Sequence, residues 1–397
     1  MSWLEGMEGM EGMEGMEGME GMEGMEGMQG MFQRFPSGAL ITHRDGIVGS
    51  WAIPAVGVGW TLPPRTSSTD GNLKLWDPRI RSFVLESELL SRLCFGVDTN
   101  PVGGVKWATL WALEVTAAAT GSSPPMWNTP AAINAGLIPA GNWTPLVQMQ
   151  EPEPAVLDDQ LDLVAGYADL RGDRAREIVA QIQVQYSFWG SVVPLFTARH
   201  KRTFELIRLV LQLAKYAEMN FKNAFGVQRP HERSAQIQPM ISTPIHGSFP
   251  SGHATEAITV ARVLYELVSQ NSGNANGKQQ LREMLLRQAA RIAINRTVAG
   301  VHYPIDSLAG QMLGLSIAEY ALARMRPTNN PVNTWQFVPS AANVPNGTDF
   351  TGHELFHFVN NARTATTYAQ QPAGSASKVA TSPSLVWLWG EALAEWQ

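Results

Sequence analysis

From about Leu157 onward, apolar residues recur at helical spacing. Phe204, Ile207, Leu211, Ala214, Ala217 and Phe221 fall on one face of a predicted long helix. Ala254, Ala257, Ile258, Ala261, Leu264 and Val268 mark a second. Leu281, Met284, Leu285, Ala289 and Ile292 mark a third, and 305–325 a fourth. Gly310 and Gly314, four apart in the last of these, predict close contact with a neighbouring helix. Residues 157–326 therefore read as a helical bundle core. Upstream, 32–156 are rich in Gly, Pro, Asn, Thr and Trp, with short apolar runs at 51–58 and 105–115 and no clear element. Downstream, 327–397 return to Pro/Asn-rich connection and close on an apolar stretch near 385–396. The pattern predicts a mainly α fold with irregular N- and C-terminal extensions, the first packing on the core.

Residues 5–28 repeat Glu-Gly-Met eight times, followed by Gln29-Gly30-Met31. Gly at every third position weakens a helix by about 1 kcal/mol per residue, so 1–31 read as a flexible acidic tail. An assembly or targeting arm with packed Met side chains is the alternative. The tail also changes the charge picture. The formal net charge is −6, but the tail holds eight Glu and no Lys or Arg, leaving 27 acids against 29 bases elsewhere. No surplus of Lys and Arg exists for a strongly basic nucleic-acid binder. Hydrophobic residues at 44% supply a core, and the single cysteine, Cys94, excludes an internal disulfide framework and a multi-cysteine metal cluster. The first residues lack the features of a secretion signal, and no apolar run of about 18 residues occurs. The expectation is a soluble chain, cytoplasmic by default, with homo-oligomer formation left open.

Three segments at predicted helix ends carry the candidate chemistry. In the first, Lys222 closes a long helix before Gly226, and Arg229 precedes Pro230, which pushes it towards extended geometry. Alone, this also describes a solvated helix terminus whose basic residues favour the dipole. In the second, Pro250-Ser251-Gly252-His253 leads into a helix beginning near Ala254. A helix N-terminus points unpaired N–H groups outward, Gly252 allows close approach of an oxyanion, the Ser251 hydroxyl can donate, and His253 can move protons near neutral pH. In the third, Arg296 ends one helix, Pro304 suits the first turn of the next, and Asp306 lies four residues after His302, placed to accept a proton of its imidazole. Together they offer three cations, neutral donors and two histidines, a set complementary to phosphate or vanadate.

The order Lys-x6-Arg-Pro, Pro-Ser-Gly-His and Arg-x3-Gly-x-His-x3-Asp resembles the superfamily of vanadium-dependent haloperoxidases and type 2 phosphatidic-acid-phosphatase-like acid phosphatases. The resemblance covers the helical core. It implies that Lys222, Arg229 and Arg296 clamp the equatorial oxygens and that Ser251 and the Gly252 amide donate to them. It makes His302 the axial group, ligating vanadium or attacking phosphorus. It makes His253 the general acid/base and Asp306 the residue that orients His302. One departure is Asn295, where the family usually has Ser.

The resemblance leaves two reactions open. A haloperoxidase would hold vanadate, the site also accepting phosphate, and would use hydrogen peroxide to oxidise halide for small organic acceptors. An acid phosphatase would hydrolyse phosphomonoesters through a phospho-histidine. The absence of several membrane spans and the position of His246, seven residues before His253, lean towards the peroxidase. Bromide-oxidising members resemble one another in carrying a histidine there, so bromide or iodide is favoured. Separately, His353-Glu354-Leu355-Phe356-His357 fits the zinc-protease pattern, with two histidines as ligands and Glu354 activating water. A packing helix in the cofactor entrance or a subunit contact is the favoured account, and zinc proteolysis the minor alternative.

Overall fold

Five of the described helices open on a proline at their first position, where its missing N–H would have no intrahelical partner in any case. The computed structural model describes residues 73–98, 105–113, 143–183, 185–270, 274–327, 331–352, 366–372 and 376–397. The elements, all within a single unit Trp76–Gln397, begin with α1 (Pro78–Leu90), β1 (Leu93–Asp98), β2 (Trp107–Leu113) and β3 (Trp143–Gln150). Next come α2 (Pro154–Tyr167), α3 (Arg171–Ala180), α4 (Tyr186–Gly190) and α5 (Lys201–Phe225). Then follow α6 (Pro230–Arg233), α7 (Gly252–Ser269), α8 (Ala275–Val298) and α9 (Pro304–Met325). The chain closes with β4 (Pro331–Asn333), β5 (Trp335–Phe337), β6 (Ala369–Gln370), β7 (Ala376–Lys378) and α10 (Pro383–Ala394).

The four helices predicted from periodicity are α5, α7, α8 and α9. On α5, Ile207, Ala214, Ala217 and Phe221 are buried as expected, while Phe204 and Leu211 lie at the margin of that face; on α8, Met284 is exposed. Every residue of α9 except Glu319 is buried, so it is the central helix of the bundle. It packs on α7 at contact distance: a Cβ at Gly310 would lie 2.6 Å from the Ser251 carbonyl oxygen, and one at Gly314 2.5 Å from that of Thr255. Close approach is therefore what the two glycines provide. No described helix is long and apolar enough to cross a membrane.

The extensions are not irregular where they are described, which corrects the expectation. β1, β2 and β3 form an antiparallel meander, β3 pairs in parallel with β5, and β5 pairs antiparallel with β6. One five-stranded sheet thus joins segments on both sides of the core, and β4 and β7 form a separate pair. β2 is buried on both faces from Ala108 to Ala112, so it shows no alternation of apolar and polar residues. The final apolar stretch forms α10.

Aromatic rings connect the sheet to the bundle. Phe337 on β5 lies 6.1 Å from Phe249, Phe249 lies 5.8 Å from Phe225, and Phe225 lies 6.2 Å from Phe221. Phe95 of β1 meets Phe221 edge-on at 5.0 Å. Phe249 belongs to the loop entering Ser251, and Phe225 ends the helix that carries Lys222. The sheet thereby braces two of the three predicted site segments.

Candidate active site

Two helix N-termini meet at the centre of the site. The Ser251 N–H donates to the Asp306 carbonyl at 2.9 Å, tying the start of α7 to the first turn of α9. Ser251 is the N-cap of α7, its hydroxyl accepting from the Ala254 N–H at 3.4 Å, so the helix starts at Gly252 and not at Ala254. Gly252 has a second reason to be glycine: a Cβ there would lie 2.6 Å from Oε1 of Glu218 on α5. Asp306 serves two purposes, accepting from the Tyr303 N–H at 3.0 Å and from His302 Nδ1 at 2.9 Å. The predicted pairing of His302 with Asp306 is present, and Nε2 is the nitrogen left to react.

The three predicted cations are all buried. α5 stops at Gly226, whose φ of 62° is left-handed, and this leaves Lys222 on the last buried turn. Its Nζ donates to the carbonyls of Gly247 and Ser248, each at 3.2 Å, so the solvated-terminus reading does not hold. Arg229 is extended, as its following proline requires. It donates to the carbonyls of His246 at 3.2 Å and Val301 at 2.9 Å. Arg296, in the last turn of α8, donates through Nη2 to the Ile178 carbonyl at 2.9 Å and to Gln181 Oε1 at 3.3 Å. Its Nε and Nη1 are buried without a partner. Buried cations held by neutral acceptors are expensive unless an anion joins them.

The charges act on one another as the convergence requires. Burial pushes Lys222 down to about 8, opposed chiefly by Glu218 one helical turn earlier. Burial takes Arg296 down to about 10, still charged at neutral pH. His302 lies well below the usual imidazole range, first through burial and then through Lys222, Arg229, His253 and His246. It is therefore a neutral imidazole. Burial and then Arg296 hold His253 low, and its Nε2 is occupied by the Gln181 carbonyl at 2.9 Å. His246 is pushed down to about 4 by burial and by Lys222 and Arg229; its Nδ1 lies 3.3 Å from Arg229 Nη2. Burial raises Asp306 to about 7.

Lys222, Arg229, His246, Ser251, Gly252, His253, Arg296, His302 and Asp306 are thus all linked by short contacts or mutual electrostatics. Sequence reading missed two further members. Glu218 is buried with Oε2 unpartnered, and its spacing of four from Lys222 on one helix was the available signal. Gln181, just after α3, belongs to no motif. Positions 353–357, with His353, Glu354 and His357, lie outside the described residues. Among the described residues no group of three or more His, Cys, Asp or Glu side chains could hold a metal ion.

Residues 206–330 match the model of the PAP2 superfamily, so the chain carries a domain of that superfamily, and all nine predicted site residues fall inside it. The chain matches no curated protein. Among solved structures it is similar to the first transmembrane PAP2 type phosphatidylglycerolphosphate phosphatase from Bacillus subtilis. The two share 21% sequence identity over 42% of this chain and 74% of that one, with a TM-score of 0.26.

Proposed function

We propose that this PAP2-superfamily domain is a phosphohydrolase that cleaves phosphomonoesters through a phospho-histidine on His302. The observation that carries the reading is a neutral, carboxylate-oriented imidazole beside buried cations, one of which keeps two unpartnered donors. Lys222, Arg229 and Arg296, with the Ser251 hydroxyl and the Gly252 amide, hold the non-bridging oxygens and stabilise charge in the transition state. His302 Nε2 attacks phosphorus while Asp306, bonded to Nδ1–H, stabilises the positive charge that develops on the ring. The P–O ester bond breaks, and His253 protonates the leaving alkoxide. Because its Nε2 faces the Gln181 carbonyl, the proton moves through Nδ1. His253 then accepts a proton from the water that cleaves the P–N bond, and phosphate leaves. The negative charge of bound substrate raises His253 from its low resting value and supplies the protonated acid.

The test is hydrolysis of p-nitrophenyl phosphate with rapid quench. An acid-labile, base-stable phosphoenzyme that disappears in His302→Ala supports the reading, and full turnover in that variant refutes it.

His246 favours a second reading. It places another neutral imidazole against Arg229, in electrostatic contact with His302. Vanadate is a tetrahedral oxyanion that the same donors fit, and the unpartnered Nε and Nη1 of Arg296 suit it as they suit phosphate. Lys222, Arg229, Ser251, Gly252, Arg296 and His302 would hold it. Bound there, it would supply a Lewis acid for oxidation of bromide or iodide by hydrogen peroxide. Dye bromination that requires both vanadate and peroxide would establish this reading.

A further inference from the structure

We infer that Gln181 is a positioning residue whose neutral side-chain amide aims Arg296 without adding charge to the oxyanion clamp, while its main-chain carbonyl fixes the tautomer of His253. The inference rests on the oxyanion reading of the site and deepens it.

Gln181 follows α3 and is fully buried. Its Oε1 accepts from Arg296 Nη2 at 3.3 Å and from Asn295 Nδ2 at 2.9 Å. Its Nε2 donates to Glu177 at 3.0 Å. Its main-chain carbonyl receives His253 Nε2 at 2.9 Å. One residue therefore touches a clamp cation, the residue beside it and the general acid. The orientation of the amide is set from both sides, since its nitrogen faces a carboxylate and its oxygen faces two donors.

The neutrality of the amide matters most. Glu177 is held by Arg291 through contacts of 2.6–2.9 Å. Its charge still acts on Arg296, but its direct hydrogen bonds go to Arg291 and to the Gln181 amide, and the group that Gln181 itself presents to the guanidinium is neutral. A carboxylate at position 181 would itself pair with Arg296 and weaken its pull on phosphate. The amide holds the guanidinium in place and leaves its charge, with Nε and Nη1 unpartnered, for the ligand. Asn295, which departs from the family pattern, fits the same scheme. Its Oδ1 accepts from Arg174 at 3.0 Å while its amide nitrogen reaches Gln181, so it cross-links α3 and α8. A serine hydroxyl has no amide to span both partners.

The test uses the full chain with Gln181→Glu and Gln181→Met, the second lacking the amide but adding no charge. Affinity for inorganic phosphate is measured by calorimetry, alongside kcat, KM, the pH profile and thermal midpoint. Gln181→Glu should weaken phosphate binding at least tenfold and move the limb governed by His253 to higher pH. The other charges near that ring, Arg296, Lys222 and Lys215, are unchanged between the two proteins. Gln181→Met should lower kcat/KM at least tenfold without that displacement of the limb. Phosphate affinity within twofold of wild type in a folded variant, with an unmoved pH profile, would overturn the inference even if the thermal midpoint falls. Should Gln181→Glu not fold, Gln181→Met decides the question: kcat/KM within twofold of wild type in that folded variant would overturn the inference. If wild type binds phosphate but hydrolyses no phosphomonoester, the hydrolase reading fails; weakened phosphate binding in Gln181→Glu would still support the assignment of Gln181.

Discussion

Lys222 shows most directly how burial sets chemistry. Moving an ammonium group out of water favours its neutral form, and Glu218 restores only part of the loss, leaving the group near 8. It is charged below that value and loses its charge as pH rises through it. Phosphate affinity should therefore fall on the alkaline side of about pH 8. Lys222→Arg should remove that limb, because a guanidinium stays protonated there; inhibition by phosphate measured from pH 6 to 9.5 checks both statements. Asp306→Asn keeps an acceptor for the Tyr303 N–H but cannot stabilise a charged His302. A fall in kcat of about 10–100-fold or more, with the fold retained by circular dichroism, is the expected result. Unchanged kcat would reduce Asp306 to a helix cap.

At the scale of elements, the site depends on how closely α7 and α9 approach. Gly310→Val would drive side-chain carbon into the Ser251 carbonyl, only 2.6 Å from an ideal Cβ. The helices must then part, at about 1–3 kcal/mol of overpacking. The same movement would shift Ser251 and Gly252 relative to His302, so kcat should fall together with the denaturation midpoint. Gly172→Ala on α3 is the control. Nothing lies within 4 Å of an added Cβ there, so stability should hold or rise by about 0.5–1 kcal/mol. Chemical denaturation of both variants separates steric from general effects.

At the scale of the whole unit, residues distant in sequence complete one another. His200, the N-cap of α5, makes no side-chain cap. Glu395, just beyond α10, supplies it instead, accepting from the N–H groups of Arg202 at 2.6 Å and Thr203 at 2.8 Å and from the Thr203 hydroxyl at 2.8 Å. Glu395→Ala should cost about 1–2 kcal/mol in stability while leaving KM for a phosphomonoester unchanged, since Lys222 lies about 30 Å along the same helix at 1.5 Å per residue. Such pairings explain what the sequence could and could not reveal. The bundle was legible because α5, α7 and α9 carry long apolar faces. The chemistry was legible because Lys222, Ser251 and His302 sit beside helix ends marked by Gly226, Pro250 and Pro304. The sheet was not, because β2 is buried on both faces and β5 reaches its partner β3 across the whole core. Gln181 was invisible because its role exists only after α3, α7 and α8 have packed.

The glycine contact between α7 and α9 also constrains how this scaffold can change. His302 and Asp306 begin one helix, Ser251 and His253 begin the other, and no side chain can be inserted between those axes. The reacting groups are thus spaced by backbone, and variation beside them is left to the loop Thr243–Gly247, whose His246 touches Arg229. There Ile245 already stands 95% exposed beside His246. Selection for new substrates should accumulate replacements along that rim and spare both helical axes.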